Sequence, residues 1–146
     1  IRECDAHVGR MNHAATVLGA VVPLTVEVLS SLPDAELAHL DQFIYRFTKA
    51  QDSMSRRLLP SLYSWLEDDS NPRPFLDILH RLEQLGVLTE TTIWQKFRNL
   101  RNSLAHDYPE DQQQTVATIN ELFASLVEFI ALYQTARDYF IARAQS

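Results

Sequence analysis

Arg101, Asn102, His106 and Tyr108 stand in the stretch LRNSLAHDYPED, residues 100 to 111, where an apolar helical pattern meets Pro109. An imidazole, with an ordinary pKa near ~6.5, can take a proton from a ribose 2′-hydroxyl or give one to a leaving oxygen. A guanidinium can hold two phosphate oxygens and stabilise the charge that builds on phosphorus. Arg101 and His106 together therefore permit phosphodiester cleavage without a metal ion. One such histidine per chain is a thin catalytic set, and two chains meeting at this helix would bring two of each residue into one cleft. Lys96, Arg98 and Arg101 fall within six positions with no acid among them, a local basic site suited to RNA phosphates.

These residues must be positioned by helices. At 100° per residue, Arg98, Arg101, Asn102 and Ala105 lie on one flank of a helix whose inner stripe is Ile93, Phe97, Leu100 and Leu104. Trp94 shares that flank, where it either stacks on a base or, as the default, enters the core or an interface. Pro109 disfavours helical geometry at the residue before it, so the helix is expected to stop near Ala105 or His106. His106, Asp107 and Tyr108 are then left in a turn.

The rest of the chain reads as all-α. It has 146 residues, 46% of them apolar, with only three Gly and six Pro, enough for one domain with one core. A first helical region is expected from about Asp5 to Ser30, interrupted near Pro23. A long helix follows, with Leu37, Leu40, Ile44, Phe47, Met54, Leu58, Leu62 and Trp65 on one face, a pattern broken only at Gln51. Pro60 should kink it or split off its last turn before the loop EDDSNPRP. A shorter helix covers Phe75 to Leu85 and is capped by Gly86, and Thr89 can cap the motif helix. A fifth is expected to start at Pro109 and run through Val116, Ile119, Leu122, Phe123, Leu126, Phe129, Ile130 and Tyr133. The expected fold is an up-and-down helical bundle of four main helices plus an N-terminal one, in a single domain over residues 1–146.

Thirteen basic against nineteen acidic residues give a net charge of −6, which argues against broad, nonspecific nucleic-acid binding. The single cysteine, Cys4, forms no intrachain disulfide, and a cytoplasmic location is expected. The segment AATVLGAVVPLTV falls short of the ~20 residues of a membrane span and reads as a core helix. Cys4, His7 and His13 have a faintly metal-like spacing but read as surface and core positions, as do His39 and His80. No metal or cofactor is expected. Ser103 lacks the third group and oxyanion loop that a nucleophile needs, and no glycine-rich phosphate loop is present.

The stretch FRNLRNSLAHDYP closely resembles the signature of the HEPN superfamily, and Tyr108 makes it the R-X4-H-X-Y form of HepT-like toxins. FIYRFTKAQDSM, FLDILHRLEQLGVL and TIWQKFRNLRN are similar to the same bacterial group, so the resemblance spans roughly residues 37 to 140. It implies a homodimeric, metal-independent ribonuclease toxin of a toxin–antitoxin pair, with both motifs facing a composite RNA-cleaving site. By that resemblance Arg101 binds and polarises phosphate, Asn102 orients it and His106 is the acid and base. Tyr108 matches the position that an MNT-type nucleotidyltransferase antitoxin adenylylates to silence the nuclease. The rival reading is a noncatalytic HEPN interaction module that binds a nucleotidyltransferase or a nucleotide through the same Arg and His.

Overall fold

The computed structural model describes residues 1–105 and 111–145, and among them it is all helix, with no strand. The elements are α1 (Arg2–Leu18), α2 (Val26–Ser30), α3 (Asp34–Ser53), a π turn (Met54–Leu58), α4 (Leu59–Glu67), α5 (Phe75–Gln84), α6 (Thr91–Ala105), α7 (Gln112–Ala124) and α8 (Leu126–Gln145). Helix α1 packs along α3, α3 against α6, α6 against α7, and α4 against both α5 and α8. The expected all-α bundle is therefore present. No single helix among the described residues is long and apolar enough to cross a membrane. The bent pair α7–α8 has the length and composition, but Ile119, Leu122, Phe129, Tyr133 and Ala136 are buried in the bundle core.

A trio of aromatic rings holds the centre. Phe47 of α3, Phe97 of α6 and Phe129 of α8 are fully buried, with Phe129 edge-on to both others at centroid distances of 5.0 Å. Such pairs add about 0.5–1.5 kcal/mol beyond the area they bury. Phe43 and Phe123 stack at 4.3 Å and join α3 to α7.

Several boundaries differ from the sequence expectation, each for a local reason. The N-terminal region breaks as expected around Pro23, but α1 ends at Leu18 and only five residues of helix re-form after the break. The connection is pinned to α7 by Asn120, whose carboxamide takes the Leu24 N–H at 2.7 Å and donates to the Leu24 carbonyl at 2.9 Å. Pro60 does not detach the last turn. It lacks the N–H that would bond the Arg56 carbonyl, and the helix has widened into the π turn just before it, after which α4 runs on to Glu67. Thr89 does not begin the motif helix. That helix starts at Thr91, whose N–H donates to the Glu83 carboxylate of α5 at 3.0 Å.

The expected fifth helix is two helices, bent by 52° at Ser125. The Ser125 N–H closes α7 onto the Glu121 and Leu122 carbonyls, and its own carbonyl opens α8 by accepting from Phe129. Helix α7, expected to have Pro109 as its first residue, starts at Gln112 with Asp111 as its cap, the carboxylate accepting from the Gln114 N–H at 3.0 Å. Pro109 itself lies outside the described residues. Gly86 ends α5 as expected, at φ +82°, with the Val87 N–H returning to the Leu82 carbonyl at 2.9 Å.

Residues 1–36, which the family resemblance does not reach, are integral to the core. Cys4, Val8, Met11, Ala14 and Leu18 of α1 are all buried. Asp5 ties α1 to α8 by accepting from Arg137 Nε at 2.8 Å and Nη2 at 3.2 Å and from the buried Tyr133 hydroxyl. The Arg137 hydrogen bond holds the Asp5 carboxyl below its ordinary range against the opposing effect of desolvation, while burial and Asp5 push Tyr133 up. A depressed folded-state carboxyl contributes stability above its unfolded pKa near ~4 and loses it as pH falls through the folded value. Both charged partners are about a third exposed, so solvent screening limits the contribution to about 1 kcal/mol or less. Asp5→Asn is expected to lower the urea midpoint at pH 7, with the difference from the parent closing as both are titrated below pH ~3. An undiminished gap in acid would show that Asp5 acts through shape rather than charge.

Candidate functional site

The motif flank of α6 faces the place where α3 gives way to the π turn. A groove of about 350 Å³ lies between them, lined by Gln51, Asp52, Ser55 and Arg56 on one wall, by Arg98, Arg101 and Asn102 on the other, and by Phe75. It forms because the apolar stripe of the long helix is interrupted there. Gln51 takes a stripe position and is only 3% exposed, its amide donating to Ser55 Oγ at 3.1 Å while that hydroxyl donates to the Gln51 carbonyl at 2.9 Å. Polar side chains thus occupy the wall opposite the motif, at the junction where the helix widens. π turns recur at functional sites because the extra residue re-aims side chains.

Arg101 sits at the floor edge. Its side chain is 27% exposed and its Nη2 donates to Asp52 Oδ2 at 3.0 Å, with Asp52 itself 26% exposed. Nη1 lies 3.4 Å from Asn102 Oδ1, and Nε is buried without a partner. Asp52 therefore fixes one end of the guanidinium. Three arginines against one aspartate give the groove two net positive charges on a chain whose total is −6.

The site residues read from the sequence separate into three groups. Arg98, Arg101 and Asn102 come together in the groove. Lys96 lies away from it, on the opposite flank of α6, where its ammonium pairs with Glu128 of α8 at 3.3 Å. His106 and Tyr108 lie outside the described residues, as does the turn expected there, and α6 is described to Ala105. Trp94 takes its default place in the core, 0% exposed and edge-on to Phe75 at 6.4 Å. It contributes nothing to an exposed α6 face.

Asp52, Arg56, Gln51 and Ser55 are the groove residues that sequence reasoning missed. Their signal was the polar run QDS breaking an apolar stripe, followed by SRR, inside a segment that the family resemblance had already marked. What linked them to the motif is a tertiary contact between residues 49 positions apart.

Other candidate clusters carry less chemistry. Among the described residues no group of three His, Cys, Asp or Glu is placed to hold a metal ion. Cys4 is buried, His7 Nδ1 lies 2.9 Å from Arg46 Nη1, and His13 meets His39 edge to face. Desolvation and then Arg46 lower the His7 pKa, so its ring accepts from the guanidinium as the neutral form. His80 faces the Thr91 hydroxyl at 3.4 Å. A larger hollow of about 830 Å³ lies where the end of α4 meets α8, with Asp68, Asp69 and Arg143 in its walls. It holds more acid than base and none of the motif.

The described residues form a helical bundle with an arginine-lined groove between a widened helix and its motif-bearing neighbour. No family model matches the chain, and no curated protein or solved structure matches it either.

Proposed function

We propose that this chain is a metal-independent RNA-cleaving domain of the HEPN type, acting as the toxin of a bacterial toxin–antitoxin pair in the cytoplasm. The observation that carries the reading is the convergence of Arg98, Arg101 and Asn102 in one cationic groove. Arg101 is held by Asp52 at Nη2, and its side chain remains 27% exposed at the groove. In this reading the 2′-oxygen of the substrate attacks phosphorus, the bond to the 5′-oxygen breaks, and a 2′,3′-cyclic phosphate forms. His106 takes the 2′-hydroxyl proton, and a second imidazole protonates the leaving 5′-oxygen, which is the reason for a homodimer with a shared site. Arg101 stabilises the charge building on the phosphoryl oxygens and Asn102 orients the group. Adenylylation of Tyr108 by an MNT-type nucleotidyltransferase would set a negative phosphodiester near Arg101 in sequence and compete with RNA for it.

The purified chain is expected to cleave single-stranded RNA in EDTA and leave cyclic-phosphate ends. RNA that stays intact at micromolar protein would withdraw the nuclease. The Arg101–Asp52 pair favours one second reading, a noncatalytic module in which the groove binds a nucleotide or a nucleotidyltransferase. RNA bound but never cut is the outcome that selects it.

A further inference from the structure

We infer that Arg56, on the π turn, completes with Arg98 a phosphate subsite neighbouring the one at Arg101, so that the groove tracks the backbone of a single RNA strand. The inference rests on the RNA-cleaving reading of the same groove and adds to it a residue outside the motif.

Asp52 and Arg56 are four residues apart with the acid on the N-terminal side, the spacing that normally forms an ion pair on a helix. Here the Asp52 carboxylate is taken by Arg101 at 3.0 Å. Arg56 is left exposed on the groove wall with no hydrogen-bond or ion-pair partner among the described residues. Arg98 on the facing wall is likewise exposed and without one. Two exposed guanidiniums on facing walls of one groove, neither paired among the described residues, offer an anion donors from both sides, and a planar guanidinium matches phosphate oxygens in pairs. The next residue along, Arg57, differs on this point, because its Nη1 is bound to Glu3 of α1 at 2.6 Å.

The size of the groove selects the form of the ligand. About 350 Å³ lies at the small end of ligand pockets and suits one nucleotide with its flanking phosphates, whereas duplex RNA is read across two successive minor grooves. Phe75, half-buried and steadied by Trp94 behind it, supplies an aromatic surface beside the arginines, as single-strand sites do.

The test is binding of a short fluorescein-labelled oligouridine to the full chain carrying His106→Ala, followed by anisotropy over a range of salt. Adding Arg56→Ala should weaken binding about tenfold and reduce the slope of log K against log salt by about 0.7, the value for one phosphate contact on a single strand. Adding Arg57→Ala should change neither. If Arg56→Ala binds like its parent while Arg101→Ala weakens binding, Arg56 is off the strand's path and the inference falls with the RNA reading intact. If the His106→Ala chain binds no oligouridine at all, both fall.

Discussion

Under the proposed RNA-cleaving function, Arg101→Ala is expected to lower cleavage by about 10²–10³-fold, the usual effect of removing one donor aimed at charge that develops in the transition state. The loss is expected in the chemical step, read in single-turnover experiments at saturating protein. Arg101→Lys restores little of it, since a point charge cannot span two phosphoryl oxygens and bond Asp52 at the same time. Helical angle alone sets Arg101 on the polar flank of α6, where an exposed side chain usually contributes within about 0.5 kcal/mol to stability. With 27% of its side chain exposed and an aspartate bound, its removal is instead expected to cost about 1 kcal/mol, because Asp52 then lacks a partner. Asp52→Asn in the same chain should recover part of that stability without recovering cleavage. Activity within threefold of the parent in a well-folded Arg101→Ala chain would end the phosphoryl role assigned here.

Trp94→Ala removes the largest fully buried side chain of the core and is expected to cost about 3–5 kcal/mol. That is a large part of the ~5–15 kcal/mol that usually holds a domain folded. Its indole Nε1 is buried with no hydrogen-bond partner, so Trp94→Phe loses volume but also relieves an unmet donor. About 1–2 kcal/mol is expected there, with cleavage retained. Urea titration followed by circular dichroism measures both. A Trp94→Ala chain with normal stability but lost RNA binding would restore the tryptophan to the substrate side.

Trp94 and Arg101 also mark how far the sequence can be read. By helical angle they share a flank, and only the packing of α5, through Phe75, turns one inward while Asp52 holds the other at the groove. The helical periods of α3, α5 and α6 and the glycine after α5 were legible because each rests on residues a few positions apart, but the ends of the stripes were over-read: Leu37, Trp65 and Leu76, expected on inner faces, are exposed. The break at Ser125 was not, since the apolar pattern runs through it without Gly or Pro and the bend is made by backbone bonds of the serine itself. The π turn left two faint marks, Gln51 and Pro60, that make sense only once the widened ladder is seen. Three of the eight groove residues, Arg98, Arg101 and Asn102, were legible on the motif helix. Phe75 comes from α5 and the other four from α3 and the π turn, whose relation to α6 no local pattern records.

The widened turn also sets what kinds of genetic change this protein can absorb. Ahead of it α3 is committed to α1 and α6, and beyond it α4 is committed to α5 and α8. Five residues, Met54 to Leu58, keep the two commitments in phase. A changed letter at the exposed Arg56 or Arg57 leaves that phase alone. A missing letter turns everything downstream by about 100°, swinging Leu59 and Leu62 out of the core and parting Arg56 from the motif it faces. Alleles of this protein should therefore hold the length of this segment fixed, with spelling freest at the exposed Arg57 and constrained at the buried Met54 and Leu58 and at Arg56.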